Sequence, residues 1–430
     1  MCETDISGDV RGKADPHPSP ATMTTDESGR AAMRRFDIAA TIIFWIAVVV
    51  VPGHLFLTFY SMIDSASGTN VIQGDFTVFW AAAKLALAGQ PLAAFDPQAL
   101  YAAAKLPTEA PHDNFLWLYP PSFLVALMPL GALSFPLAFP AFIAISATAF
   151  ALAVRAPASV LPGLWRLMLV SPMVVICGLF IGQTSVLWTA GLVAGLWAMR
   201  GGKAAAAGLA IALLTMKPHL GLLIPVALIA ARQWAVIGWA TGFTLLLTGA
   251  ATVMTGPDYW PQFLEALHSQ IDRVANGTVL MHRLSSPYGF LRALGAGHGG
   301  AFALQLALTA GLVAMIGWIW SRRNLSKDLK YATLCAAIPL ATHYALYYEM
   351  TLELAAALFL IRDGFGQRLA EKAWLLVLWV GPAPMIIYPT LLSTALYTPP
   401  IMLVTLAICL ARVRRRLAAE PAASPCPARS

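Results

Sequence analysis

Successive apolar runs that approach or exceed the roughly 20 residues needed to cross the hydrocarbon layer leave this 430-residue chain few folds to adopt. A segment in lipid must satisfy its own backbone hydrogen bonds, so it crosses as a helix or as part of a closed barrel. The runs are continuous rather than alternating, which selects helices. Charged residues make up only 11% of the chain and hydrophobic ones 58%, against roughly 25% charged in a soluble domain. The chain is therefore predicted to be an all-α, polytopic integral membrane protein.

The net charge of +7 calls for no nucleic-acid partner, because the excess sits in short loops between apolar segments. Arg34 and Arg35 abut the first span, about 36–60, and Arg412, Arg414, Arg415 and Arg416 follow the last, which predicts both ends to be cytoplasmic. Residues 1–35 and 412–430 read as tails, and 36–411 as the membrane domain. Residues 1–30 are polar and lack the basic, apolar, small-residue order of a cleaved leader, so the first span is expected to remain as an anchor. The five cysteines have no metal-type spacing and suggest no disulfide.

The region 61–117 is acid-rich and is expected to be an exterior loop carrying surface helices. In 75–89, Phe76, Phe79, Trp80, Ala83 and Leu87 fall at helical spacing and predict an amphipathic helix with Asp75 at its start. Asp75 either caps that helix or meets a substrate headgroup there. Asp96-Pro97 opens a second helix running to Lys105, with Pro at the first helical position. Two apolar segments share 118–154, and runs at about 167–182, 184–199, 204–217, 219–232, 233–255, 301–321, 331–344, 346–361, 373–389 and 395–411 follow. Several are too short to cross alone and predict broken or re-entrant helices, about 10–13 membrane segments in all. Two segments before Arg155 conflict with a cytoplasmic Arg155, so either one is re-entrant or Arg155 is exterior.

Basic loops at Arg155/Arg166, Arg200/Lys203, Arg232, Arg322–Lys330 and Arg362–Lys372 are assigned to the cytoplasm. The intervening turns then face outward on the side of Asp75: Gly182-Gln183, Lys217-Pro218-His219, the 256–300 loop and His343–Glu349. Lys217 ends a helix that Pro218 cannot continue. It either snorkels to the interface or holds a lipid phosphate as a point charge. His343 is either a satisfied core residue or a catalyst beside Tyr347, Tyr348, Glu349 and Glu353. Glu349 and Glu353, one helical turn apart, would share an environment that suits a metal, a raised pKa or sugar hydroxyls. The 256–300 loop holds Tyr259, Trp260, His268, Asp272, Arg273, His282, Arg283, Tyr288 and Arg292, ingredients for a saccharide and a phosphate but equally for a solvated loop. No P-loop or dinucleotide fingerprint occurs.

Gly74-Asp75-Phe76 with Trp80 and Gly89-Gln90, then Leu118-Tyr119-Pro120-Pro121, Gly182-Gln183, Lys217-Pro218 and the His343–Glu349 stretch together resemble glycosyltransferase family 87. That resemblance, over about 36–411, implies a GT-C helical bundle in a bacterial inner membrane with its active site facing the exterior. It implies transfer of a hexose such as mannose from a polyprenyl-phosphate sugar to a lipid or glycan acceptor. Asp75 and His343 would be catalytic, and Lys217, His219 and Arg283 would bind the donor phosphate. Gln183, Tyr119, Tyr348 and Glu349 would contact substrate. No cofactor is implied with certainty, though a divalent metal is compatible with the site. Tyr348-Glu349 stands where many members have Tyr-Asp, and Leu284-Ser285-Ser286-Pro287 where many have Asn-x-Ser. A transporter or flippase of lipid-linked sugars is the competing class, since broken helices with charged residues suit it equally. An internal repeat would favour it, and none is detected.

Overall fold

The computed structural model describes residues 28–46, 49–50, 53, 74–105, 115–161, 178–179, 181–279, 281–381 and 393–419. The N-terminal tail, most of the first predicted span beyond residue 46, Asp64, Glu109, Asp113, Cys2, Cys177 and Cys426 lie outside the described residues. The chain divides into two compact units at Trp45. In the first, described from Ser28, the chain is one helix, α1, which runs through residue 46.

The described part of the second unit is helical, with a single β-bridge between Leu284 and Leu346. Its helices are α2 (Asp75–Leu87), α3 (Pro97–Ala104), α4 (Pro121–Gly131), α5 (Phe135–Arg155), α6 (Ser185–Arg200), α7 (Ala204–Leu213), α8 (Leu223–Ala230) and α9 (Trp234–Thr255). Then follow α10 (Tyr259–Asn276), α11 (Pro287–Ala293), α12 (His298–Ser321), α13 (Lys327–Ala337), α14 (Thr351–Arg362), α15 (Leu369–Val380) and α16 (Thr394–Ala418).

Among the described residues, four segments are long and apolar enough to cross a membrane: α5, α9, α12 and residues 395–418 of α16. They are mostly exposed along their length, as lipid-facing helices should be, with only 11% of the α9 window buried. The short helices α6, α13 and α14 carry the core instead, and every residue of α14 from Thr351 to Leu360 is buried. The α4 helix, at 11 residues, rises only about 16 Å, roughly half the hydrocarbon thickness. Of the two segments in 118–154, α5 alone is long enough and apolar enough to cross.

The α2 helix differs from its expectation. Phe76 to Ala83 are buried without interruption, so α2 is an internal helix rather than an amphipathic one lying on a surface. The cause is Ala81-Ala82-Ala83, whose small side chains let α4 approach so closely that a Cβ on Gly131 would stand 2.8 Å from Ala83. Phe76 and Phe79 fill the remaining faces against Phe135, Phe142 and Tyr119. The second helix begins as its signal predicts: Asp96 caps α3 by accepting from Gln98 N at 2.9 Å, with Pro97 at the first position.

The amphipathic helix lies elsewhere. Residues 256–300, expected to be a loop, contain the 18-residue α10, with Phe263, Leu267, Gln270 and Val274 along one face and Glu265, His268 and Asp272 exposed on the other. Tyr259 and Trp260 fasten this helix rather than wait for a sugar. The Tyr259 hydroxyl accepts from Trp117 Nε1 and donates to Tyr119 O, and Trp260 Nε1 donates to Thr252.

Several basic loops meet at one end of the unit. Asp328 accepts from Arg200 Nη1 at 2.7 Å and from Arg362 Nε at 3.0 Å, and Asp363 accepts from Arg412. Asp328 is buried, so removing its carboxylate strands two guanidinium groups. Asp328→Ala should cost about 3 kcal/mol, measured as a lower unfolding midpoint in detergent, whereas Lys203→Ala at an exposed turn should shift it little.

Candidate active site

Three interruptions of the helical pattern build the site. At the first, α7 tightens into a 3-10 turn, Leu214–Met216, and stops at Lys217 because Pro218 has no N–H to continue it. At the second, the turn at 181–183 leads into α6. Its Ile181 carbonyl accepts from Phe76 N at the start of α2 at 3.3 Å. Gly182 lies in the left-handed region at φ +70, and a Cβ there would run into Phe76. Gly182→Ala should therefore displace Gln183 from α2. We expect a loss of about 1–3 kcal/mol together with a fall in turnover, measured by thermal unfolding and single-turnover rates.

The third interruption separates α13 from α14. Irregular backbone at membrane depth is tolerated only where protein satisfies it or water reaches it, and here protein does. Gln305 Nε2 donates to Leu340 O at 2.9 Å, Thr309 Oγ1 to Ala341 O at 2.9 Å, Ser286 Oγ to His343 O at 2.6 Å and Ser285 N to Ala345 O at 2.7 Å. Ser285-Ser286 thus pins the segment that presents His343, Tyr348 and Glu349. Ser286 also caps α11, accepting from Gly289 N.

These elements enclose a cavity of about 350 Å³, within the range of roughly 300–1,000 Å³ usual for ligand sites. The nine residues given a role by the family resemblance all line it: Asp75, Tyr119, Gln183, Lys217, His219, Arg283, His343, Tyr348 and Glu349. Apolar side chains of α10 and α2, Phe263, Leu267, Val274, Val78 and Phe79, supply much of the remaining wall.

A continuous polar chain crosses the cavity wall. Gln183 Nε2 donates to Asp75 Oδ2 at 2.7 Å, and Gln183 Oε1 accepts from Lys217 Nζ at 3.1 Å and from Thr184 N at 3.0 Å. An amide held at both its oxygen and its nitrogen has one orientation. Lys217 Nζ further donates to Ser185 Oγ at 3.2 Å and to Glu349 Oε1 at 2.9 Å, and stands 4.9 Å from the Tyr348 ring centre. All three ammonium protons are thereby used. Lys217 is 3% exposed and Glu349 2%, so Lys217 does not snorkel; it is one half of a buried ion pair.

Asp75 is the first residue of α2, but Gly74 is the N-cap, and it is Thr77 Oγ1, not Asp75, that accepts from Gly74 N at 3.4 Å. The carboxylate is turned to Gln183 instead, so the simple capping role is not what it does. Its position at a helix N-terminus favours the charged form. Burial nevertheless wins and raises its pKa above the ordinary carboxylate value, against the opposing pull of Gln183, Lys217 and Arg283.

His343 lies edge-on to Tyr288 and Phe302. Glu353, expected beside Glu349, is not on the cavity: it is 1% exposed and packs toward Thr405. The reason is the change from a 3-10 turn at Glu349 to α14 at Thr351, which spoils the one-turn spacing. Among the described residues no group of three His, Cys, Asp or Glu side chains is arranged to hold a metal.

The sequence reading missed Ser185, Tyr344 and Gln270. Ser185 receives Lys217, and Gln270 Nε2 donates to the Tyr344 hydroxyl at 3.1 Å on the cavity wall. The signal for Gln270 was present, as the one polar residue on the apolar face of α10. Tyr344 carried no such signal.

Comparison with known proteins decides the family. The family description Glycosyltransferase family 87 matches residues 117–343. The chain belongs to glycosyltransferase family 87. No curated protein and no solved structure matches it. The family 87 match spans Tyr119, Gln183, Lys217, His219, Arg283 and His343, while Asp75, Tyr348 and Glu349 lie outside it. The cavity therefore joins residues of the family segment to residues before and after it.

Proposed function

We propose that this family member transfers a hexose, such as mannose, from a polyprenyl-phosphate sugar to a lipid or glycan acceptor on the exterior face of a bacterial inner membrane. The observation that carries the reading is the chain Asp75–Gln183–Lys217–Glu349 on one largely apolar cavity. It sets a carboxylate base and a buried cation at fixed places where a membrane-borne donor would enter. A donor that arrives through the bilayer needs no nucleotide-binding domain.

In this reading Asp75 takes the proton of the acceptor hydroxyl as that oxygen attacks the anomeric carbon. The bond from the anomeric carbon to the phosphate oxygen breaks, and polyprenyl phosphate leaves. Its growing charge falls to Arg283 and His219, which face the cavity. Lys217 acts through its field, since its protons are committed to Gln183, Ser185 and Glu349. Gln183 orients Asp75. Tyr119, Tyr348 and Glu349 contact the sugar, and His343 serves the reacting centre from the segment that Ser285-Ser286 pins.

The test is a transfer assay on purified protein in lipid, with labelled polyprenyl-phosphate hexoses and a total lipid extract as acceptor. Label entering a new glycolipid with wild type and not with Asp75→Asn supports the reading. No transfer from any donor, with the protein instead moving lipid-linked sugar across liposomes, would overturn it in favour of a flippase. Because Asp75 must be ionised to act, kcat/KM should fall as pH drops through its raised pKa. The acid limb should then lie above the ordinary carboxylate value of about 3.9.

A further inference from the structure

A second cleft, of about 420 Å³, lies between the end of α12, the start of α13 and the turn joining α8 to α9. Arg232, Arg323, Lys327 and Lys330 line it, and among its described lining residues there is no carboxylate. Trp320 and Tyr331 form part of its wall. Trp320 is 3% exposed and its Nε1 donor has no hydrogen-bond partner. Arg232 holds a left-handed backbone, φ 55, in the turn that brings it to the cleft, a conformation costly for a side chain with a Cβ. Four cations in one concavity, one of them an arginine on a strained backbone, are more than a topological bias requires. The positive-inside preference asks only that basic residues lie on one face, not that they converge.

The cleft is at the far end of two span-length helices from the active-site cavity. The α9 helix starts beside the cleft at Trp234 and ends at Thr255, from which the chain enters α10 and the cavity wall. The α12 helix begins after Arg283 and Leu284 on the cavity and finishes at Ser321 on the cleft. Helices of 22 and 24 residues separate the two by about 33–36 Å, the thickness of the hydrocarbon layer. Trp234 and Trp318 stand exposed near the cleft, with Arg322 4.7 Å from the Trp318 ring. Exposed tryptophans and arginines at a helix end mark headgroup depth.

We infer that this cleft binds a phosphate-bearing anion at the membrane face opposite the active site. Its position at headgroup depth suits the phosphodiester of an anionic phospholipid, and a free phosphate group would meet the same cations. The site is independent of the transfer reaction proposed above.

The full-length protein, purified in neutral detergent, would be offered phosphatidylglycerol and phosphatidylcholine in equal amounts and weighed by native mass spectrometry. Phosphatidylglycerol should be retained at least tenfold over phosphatidylcholine. The triple variant Arg232→Gln/Arg323→Gln/Lys330→Gln should lose that preference. Arg414→Gln/Arg415→Gln, which removes exposed charge from α16, should keep it. A parallel arm adds inorganic phosphate. Displacement of the lipid at millimolar concentration would assign the cleft to a free phosphate ligand, and persistence would assign it to the headgroup. Equal retention of the two lipids by wild type overturns the inference whether or not the triple variant folds. So does an undiminished preference in a folded triple variant.

Discussion

Asp75→Asn should lower the transfer rate by roughly 10²–10⁴-fold, the contribution of a positioned base, while the protein unfolds at the same temperature as wild type or higher. The two halves of that result have one cause. Burial raises the Asp75 pKa in the folded state, so the folded protein holds this proton more tightly than the unfolded chain does. The stability associated with the protonated carboxyl is present at low pH and is lost as pH rises through the folded-state value. At neutral pH the ionised carboxylate is a cost to the fold. The asparagine amide is neutral and of nearly the same shape. It relieves that cost, although its nitrogen in place of Oδ2 would face the Gln183 amide and its oxygen must turn to accept that bond. A purely structural Asp75 would behave in the opposite way, with stability falling and the rate following it only as far as the folded fraction. Unfolding midpoints from about pH 4, the ordinary carboxylate value, up to neutrality, set beside single-turnover rates on the same preparations, separate the two. Wild-type turnover in Asp75→Asn would remove the base from the mechanism outright.

What could be read from the sequence was local chemistry, and what could not was which face each helix turns to its neighbours. Lys217-Pro218 announces a helix end because proline lacks a donor, and the structure breaks there. Asp96-Pro97 announces a helix start for a similar reason. The polar turns between apolar runs line one cavity because, in lipid, polar groups collect where they can be satisfied. The one-sided pattern of Phe76, Phe79, Trp80 and Ala83 hides Val78, Ala81 and Ala82, which are equally apolar and fill the rest of the buried helix. In α10, Phe263, Leu267, Gln270 and Val274 mark a buried face within a segment whose polar composition reads equally as a solvated loop. The pairing of Lys217 with Glu349, 132 residues away, has no local signature. Only folding brings the two together, and it also turns Glu353 away from the cavity, toward Thr405 and Cys409.

That pairing yields the second large effect. Lys217→Met should destabilise the protein by about 3–5 kcal/mol, because it leaves the Glu349 carboxylate buried with no counter-charge. Gln183 Oε1 would keep only Thr184 N. Glu349→Gln alone should also be harmful, since it strands the ammonium. The double variant Lys217→Met/Glu349→Gln removes both charges and should recover most of the lost stability, because replacing a buried pair by neutral groups is often close to neutral. Activity should not return with it. Gln183 still lacks the donor that fixed its amide against Asp75, and the leaving phosphate still lacks a positive field. Lys217→Arg keeps the charge but not the compact three-way donor geometry that meets Gln183, Ser185 and Glu349, so it should fold better than Lys217→Met and remain impaired. Unfolding midpoints and transfer rates across this cycle distinguish a pair that only holds the fold from one that also positions the base. A structural pair regains rate together with stability in the double variant, whereas a positioning lysine regains stability alone.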